Sequence, residues 1–567
     1  MAITTAQSPF RTDPISGLRI CMNAQPLVKI NAVLAVVFLL VGGFAGLLVA
    51  LTRWPTVHLL PADLFYMALT IHGIVALMVW IIFFEMAVIY FVASSLLNSR
   101  LAAPGWGWVQ VWMMVIGAAM TFVAILQGDS SVMMTSYAPL EAAPHFYLGL
   151  IIFAVGALIG CFVFWGTLVI AKEENTYGEG NSLPLVVYGA MVAVTMAVFT
   201  IACGAIILIP TFMWRIGLIH QIDPMMYRVI WWGFGHTSQQ INVTAHISIW
   251  YCIASLVFGA KPMSEKVSRT AFLLYILFLQ LGSVHHLLSD PGLSSVWKIF
   301  NTSYMMYMAV LASLIHGLTV PGAIEVAQRR NGFNNGLFEW LRKAPWGNPV
   351  FSGMFLSLVG FGFVGGITGA VMSVEQVNMI IHNTIYVPAH FHGTVAGGTT
   401  LAFMALTYFL IPVVFQREVW MPGLAKWQPW LFGIGINIFA IVVMGAGTLG
   451  VPRRHWDITF AGQSLGHEWP GLVYAMMTIG EIGAIVAVVG GALFCVIVVG
   501  SILWGEKIGA DAKCRVAPPA DAGGHKEIGS GGFEAPGTFI LALTLMTTLV
   551  LYYFVNFKYL ATLWTLS

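Results

Sequence analysis

Charged side chains are scarce in this chain. Asp, Glu, Lys and Arg make up only 8% of the 567 residues, whereas 59% are hydrophobic. Soluble domains carry about 25% charged residues, so the composition excludes an ordinary soluble protein. With a net charge of +2, nothing suggests a nucleic-acid partner. The chain is predicted to be an all-α polytopic membrane protein that contacts the lipid bilayer directly.

Cysteine is also sparse, and its spacing excludes two kinds of redox site. There is no Cys-x-x-Cys-His for covalent heme attachment and no cysteine pair for a copper site. Electrons must therefore come from a separate subunit or from quinol. The six cysteines are Cys21, Cys161, Cys203, Cys252, Cys495 and Cys514.

Long apolar runs dominate what is present, and each exceeds the roughly 20 residues that a bilayer core requires. We expect one integral membrane catalytic domain over 1–567, with a polar cytoplasmic linker at 507–535 and no cleavable signal peptide. The predicted spans number about thirteen, at 28–52, 66–96, 106–128, 145–171, 184–213, 225–258, 270–290, 297–327, 348–374, 378–415, 427–451, 472–504 and 537–560.

Orientation is predicted from the distribution of Lys and Arg. With the N-terminus inside, eighteen of the 25 basic residues fall in inner segments and seven in outer ones. Positive charge favours the cytoplasmic side. We therefore expect a bacterial or archaeal inner membrane protein with a cytoplasmic N-terminus and an outer C-terminus.

Six histidines lie inside apolar segments: His72, His236, His285, His286, His390 and His392. Residues at i and i+2 on a helix point about 200° apart, so His390 and His392 can serve two separate metal groups. At 1.5 Å per residue, all six lie within roughly 20 Å of the outer face. A shared depth favours metal or heme ligation over scattered interhelical hydrogen bonds, the role we assign to His246, His316 and His382.

Four motifs carry a family resemblance over nearly the whole chain. They are Leu-Thr-Ile-His72-Gly, Trp231-Trp232-Gly-Phe-Gly-His236, Val-His285-His286-Leu-Leu and Val-Pro-Ala-His390-Phe-His392. This pattern resembles the catalytic subunit I of the heme-copper oxidase superfamily. It most resembles the B-type branch, whose members also have thirteen spans.

The resemblance implies two hemes and one copper. His72 and His392 would ligate the low-spin heme and His390 the high-spin heme. His236, His285 and His286 would bind copper. Three neutral imidazoles suit copper better than they suit non-heme iron. Arg453 and Arg454, in an outer loop, resemble the pair that neutralises heme propionates.

The resemblance also implies a partner and an electron donor. The partner would be a small membrane-anchored subunit II with a cupredoxin-like domain, with or without a dinuclear copper centre. The external donor would be cytochrome c, a cupredoxin or quinol.

Residue 240 departs from the family pattern. Four residues after the first copper histidine, oxygen-reducing A- and B-type relatives have a tyrosine that supplies an electron and a proton. Here that position is Gln240, whose amide hydrogen-bonds but does not release an electron. The position of the C-type tyrosine is Leu279, and Tyr275 lies one turn further away.

Three functional hypotheses follow. Reduction of two nitric oxide molecules to nitrous oxide and water needs only two electrons and two protons, and Gln240 would orient bound nitric oxide. The alternative is an oxygen reductase (terminal oxidase) with an atypical active site. A heme-bearing sensor or transporter is the third, and the complete histidine set argues against it.

A possible inner proton path is predicted from polar residues in apolar spans: Tyr251, Ser303, His316, Glu325 and Glu85. Tyr251 and Glu325 resemble polar positions of the B-type channel, whereas another tyrosine of that channel is Ile247 here. These groups could equally hydrogen-bond between helices.

Overall fold

The computed structural model describes residues 9–461, 464, 466–509 and 534–562. Most of the predicted linker at 507–535 lies outside the described residues. Within them, an antiparallel hairpin of β1 (Phe10–Thr12) and β2 (Arg19–Cys21) precedes the helices. Everything else in the described architecture is helical or loop, which confirms the all-α prediction apart from this hairpin.

Twelve helices among the described residues are long and apolar enough to cross a membrane. In chain order they are α1 (Gln25–Arg53), α2 (Ala62–Leu96), α3 (Pro104–Leu126), α4 (Pro144–Glu173), α5 (Leu185–Arg215), α6 (Pro224–Phe258), α8 (Ser295–Arg330), α9 (Pro349–Met372), α10 (Tyr386–Phe415), α11 (Pro422–Thr448), α12 (Gly471–Trp504) and α13 (Pro536–Tyr559). The fold is a polytopic helical bundle, as predicted.

The remaining predicted span, 270–290, is helical but irregular. It begins as α7 (Glu265–Leu274), widens to a π-helix over Tyr275–Leu279 and tightens to a 3-10 helix over Gly282–Leu287. A 3-10 helix has about three residues per turn, so its side-chain directions differ from those of the α-helix before it. The change in geometry falls on the stretch that carries His285 and His286.

The predicted span 378–415 is wrong at its start. Glu375–Ile381 forms a separate short helix, and α10 begins only at Tyr386. Between them Asn383 has a φ of +61°, a left-handed conformation that ends helices. The backbone then pairs Thr384 with Pro452, which ties the start of α10 to the loop after α11.

Local sequence explains why several helices begin where they do. Pro occupies the first turn of α1, α3, α4, α6 and α9, where its missing N–H costs nothing. The side chain of Asp223 accepts hydrogen bonds from the backbone of Met225 and Met226 and so caps α6. Ser264 caps α7 in the same way through Val267.

Contacts between distant segments place the start of α1 and the end of α13 at opposite ends of the bundle. Gln25 donates to the carbonyl of Val414, at the end of α10. The start of α9 lies at that same end, because a Cβ on Gly353 would contact Ala405. The end of α8 lies there too, because the chain continues from it to the start of α9. Glu325, near the end of α8, accepts hydrogen bonds from the first turn of α13. Because α13 starts at this end of the bundle, it runs toward the opposite end.

Candidate heme and metal site

Three of the predicted ligands converge in the bundle. The ring nitrogens of His236, His285 and His286 that could bind a metal all lie within 4.8 Å of one another, and all three residues are buried. His236 comes from α6, and the other two come from the 3-10 helix after α7. The arrangement matches the copper site that the sequence predicts.

Hydrogen bonds show which ring nitrogens face the centre of this triad. His236 Nε2 lies 2.8 Å from the carbonyl of Leu279 and donates to it, so its Nδ1 is left as the ligand atom. That Nδ1 lies 3.1 Å from Nε2 of His286. Nδ1 of His285 is buried with no hydrogen-bond partner in the described chain. Three imidazoles whose ring nitrogens come this close in a dry interior fit a divalent metal.

Trp232 fixes one of these rings. It stacks on His286 with 3.8 Å between ring centroids and 7° between ring planes. Stacking and the hydrogen bond of His236 together hold two ligand rings before any metal arrives, which lowers the ordering cost of binding.

A cavity of about 430 Å³ extends from the triad, and we refer to it as the triad cavity. His390, on α10, lines it together with Gln240 and the triad. His390 Nδ1 is hydrogen-bonded at 2.8 Å to Thr368 on α9, which orients the ring. A volume of this size is typical of cofactor pockets.

A second cavity, of about 480 Å³, contains the other two predicted ligands; we refer to it as the paired-histidine cavity. The rings of His72 and His392 lie 5.8 Å apart between centroids and only 12° from parallel. His390 and His392 therefore line different cavities although they are two residues apart. Phe391 lines both cavities, so the two sites share a wall.

Backbone carbonyls orient both rings of the pair. His72 Nδ1 lies 2.9 Å from the carbonyl of Gly42, and His392 Nδ1 lies 2.7 Å from that of Pro388. Each Nδ1–H donates to its carbonyl, so each Nε2 stays free as a ligand atom. Two such imidazoles fit a six-coordinate heme iron.

The predicted arginine pair lines the paired-histidine cavity. Arg453 is held by its backbone N–H, which donates to Asn383, and its Nε is buried without a hydrogen-bond partner in the described chain. Burial, together with Arg454, lowers the pKa of Arg453 to about 9. An anion such as a heme propionate would relieve both effects.

Gln240 lies where the sequence predicts, in the wall of the triad cavity. The residues that line this cavity in the described chain include neither a tyrosine nor a carboxylate. Tyr275 does not line the cavity, but its hydroxyl is hydrogen-bonded at 2.9 Å to that of Ser313, which does line it.

Two residues of the predicted proton path meet. The hydroxyl of Tyr251 lies 3.0 Å from His316 Nδ1 and 3.1 Å from the hydroxyl of Ser268, to which it donates. It also hydrogen-bonds to Thr319. His316 Nε2 is buried and unpaired within the described chain.

The other three path residues are not part of this chain of hydrogen bonds. Ser303 donates to Ile299 of its own helix. Glu325 pairs with Arg329 at 2.7 Å and accepts from the backbone of Gly537 and Thr538 at the start of α13. Glu85 is buried, and its Oε1 has no hydrogen-bond partner among the described residues.

Sequence reasoning gave no site role to Thr368, to Trp232, which stands in one of the motifs, or to Glu481 of α12, which lines the paired-histidine cavity. Trp232 could have been found from its position four residues before His236, one helical turn away. Thr368 and Glu481 lie on other helices, in segments whose sequences show no distinguishing pattern.

Comparisons with known proteins agree with this geometry. Residues 27–486 match the family model described as cytochrome C and quinol oxidase polypeptide I. The chain is 32% identical over 401 residues to cytochrome c oxidase subunit 1 of Thermus thermophilus, covering 69% of each chain. It is 23% identical over 445 residues to quinol oxidase subunit 1 of Bacillus subtilis, covering 74% of this chain and 64% of that one.

A solved structure of a heme-copper terminal oxidase dimer is similar over almost the whole chain. The TM-score is 0.80 at 26% identity, with 94% of this chain and 92% of that chain covered. The fold and the histidine sites define a multi-pass membrane oxidoreductase of the respiratory type. The chain belongs to the heme-copper oxidase subunit I family, which confirms the family predicted from its motifs.

Proposed function

We propose that this subunit reduces nitric oxide. Two molecules of nitric oxide, two electrons and two protons give nitrous oxide and water. Gln240 in the wall of the triad cavity carries the proposal, because its amide can orient a small polar ligand but cannot donate an electron.

Different histidines of the chain would hold the copper and the two hemes. His236, His285 and His286 would hold copper and His390 the high-spin heme, while His72 and His392 would hold the low-spin heme. When bound, the heme iron and the copper would supply the two electrons and bind the substrate. The largely apolar cavity wall would exclude water and favour a small uncharged gas beside Gln240.

Oxygen reduction is the second candidate. The relatives reported above are named as oxidases, and their names favour this reaction. It would need an electron and proton donor near the triad. Tyr275, linked through Ser313 to the cavity wall, is the nearest tyrosine we identify.

We also propose the electron source and the side of the membrane. A cupredoxin-like subunit II would receive electrons from cytochrome c, a cupredoxin or quinol. It would dock on the outer side, near the loop that carries Arg453 and Arg454. The proton path would run through Tyr251 and His316, which share a hydrogen bond.

Replacement of Gln240 tests the proposal. In the purified complex, Gln240→Leu keeps the side-chain volume but removes the amide. We expect nitrous oxide production to fall about a hundredfold to a thousandfold, the range for losing a positioned hydrogen-bond donor. Metal and heme contents should not change. Gln240→Tyr should also lower turnover, because the phenol cannot reproduce the amide's donor and acceptor pair.

Gln239→Leu is the matched control, because Gln239 is the adjacent residue and also lines the triad cavity. It should reduce turnover less than Gln240→Leu does. Equal losses in the two variants, or unchanged nitric oxide turnover in Gln240→Tyr, would contradict the role assigned to Gln240.

A further inference from the structure

Glu481 is a buried carboxyl that the proposed reaction does not use. It lies on α12, is 1% exposed, and lines the paired-histidine cavity with His72 and His392. Its Oε2 has no hydrogen-bond partner in the described part of the chain. An unpaired carboxyl oxygen in an apolar interior is costly, so Glu481 needs a polar partner or a proton in this cavity.

Among the three arginines that line the same cavity, one acts most directly on Glu481. Arg53, at the end of α1, is the charged group that interacts with it electrostatically. The two do not form a direct ion pair, because Arg53 donates instead to the carbonyls of Pro452 and His455. These carbonyls flank Arg453 and Arg454, so Arg53 also holds the loop that carries the arginine pair.

The lining of the paired-histidine cavity makes Glu481 its single carboxylate among the described residues. The rest of the wall is apolar apart from the arginines, His72, His392, Thr400 and Cys495. In such a medium charges interact strongly. An electron added between the two imidazoles would therefore favour the neutral, protonated form of Glu481.

We propose that Glu481 takes up a proton when the low-spin heme is reduced. One electron enters the heme, and one proton adds to a carboxylate oxygen of Glu481, so the cavity gains no net charge. On reoxidation the electron leaves and the carboxyl releases the proton. The proton exchanges with water at the loop of Arg453 and Arg454, which is partly exposed.

The proposal rests on the heme ligation that the family implies and not on the choice between nitric oxide and oxygen. It goes beyond the reaction, because it makes the first electron-accepting site sensitive to pH. Reduction of the heme becomes less favourable as the proton concentration falls, so the midpoint potential of the low-spin heme must fall as pH rises.

Spectroelectrochemical titration of the purified holoenzyme between about pH 5 and pH 10 tests this directly. We expect the low-spin heme potential to fall with pH by up to about 59 mV per unit, the shift for a tenfold change in a one-electron equilibrium. In Glu481→Gln the amide cannot titrate, and the slope should disappear. A wild-type potential that is independent of pH would overturn the proposal, as would an unchanged slope in Glu481→Gln.

Glu85→Gln is the matched control. Glu85 is also a buried membrane carboxyl with an unpaired oxygen, but it lines neither cavity. It should keep the wild-type slope, and loss of the slope in this variant would contradict the specific role of Glu481.

A rescue variant covers the case in which Glu481→Gln fails to load the heme. Glu481→Asp keeps a titratable group at a shorter reach, so the slope should persist but over a different pH range. Heme content is measured first in every variant. A slope in Glu481→Asp that covers the same pH range as wild type would show that another group takes up the proton.

Discussion

At the scale of single residues, hydrogen bonds to backbone carbonyls decide which ring nitrogen of each histidine is free to bind a metal. The carbonyls of Gly42 and Pro388 take up the Nδ1–H groups of His72 and His392. The carbonyl of Leu279 takes up Nε2–H of His236 instead. The free nitrogens then face two different cavities, so backbone carbonyls fix the tautomer of each ring.

Individual histidine variants should remove separate cofactors. His392→Ala should abolish the low-spin heme spectrum and leave copper in place, because a single axial imidazole remains. His236→Ala should remove the one copper bound by this subunit and keep both hemes. Absorption spectroscopy and elemental analysis of the purified complex measure these outcomes.

His246→Ala is the control for both variants. His246 is fully buried and its Nε2 is unpaired in the described chain, but its Nδ1 is hydrogen-bonded to Thr399. It should keep both hemes and the copper. A loss of copper in His246→Ala equal to that in His236→Ala would contradict the assignment of the triad.

How well each residue could be predicted depended on its chemistry and its neighbours in sequence. The pair His285-His286 and the spacing of His390 and His392 are rare in apolar segments, so ligation could be predicted from sequence. Thr368 is an ordinary polar residue in an apolar helix, and its contact with His390 spans 22 positions. No local pattern marks such a residue.

At the scale of helices, irregular segments and close approaches place the ligands. The 3-10 stretch Gly282–Leu287 carries two ligands of the triad, and a π-helix begins at His392. Hydropathy predicted the spans within a few residues because every long apolar run must satisfy its backbone internally. It could not predict the break at His382–Ile385, which depends on a left-handed Asn383 and on pairing with a distant loop.

The approach of α1 to α2 provides a test at this scale. A Cβ on Gly46 would lie 2.7 Å from Nδ1 and 2.8 Å from Cε1 of His72, so the ring or a helix must move. We expect Gly46→Ala to destabilise the protein by about 1–3 kcal/mol, as overpacking does. It should also alter the low-spin heme spectrum, because His72 loses its bond to Gly42. Thermal unfolding and reduced-minus-oxidised spectra measure both effects.

Gly105→Ala is the matched control, because nothing lies within 4 Å of where its Cβ would be. It should leave stability and spectrum close to wild type. An unchanged heme spectrum in Gly46→Ala would show that the packing of α1 on α2 does not position His72.

At the scale of the whole molecule, two cavities share a wall at Phe391 inside one helical bundle. This arrangement places the predicted low-spin site directly beside the predicted site of reaction. The family membership supports hemes and copper in these cavities. The relatives are named as oxidases and so favour oxygen reduction, whereas the proposal of nitric oxide reduction rests on Gln240 in the triad cavity.

The most direct test of nitric oxide reduction is turnover by the purified wild-type complex. Nitrous oxide production would be followed anaerobically with nitric oxide and an artificial electron donor, beside oxygen consumption with the same donor. We expect fast nitrous oxide production and feeble oxygen uptake. Rapid four-electron oxygen reduction with little nitrous oxide would contradict this expectation, and would point to Tyr275 as the replacement donor.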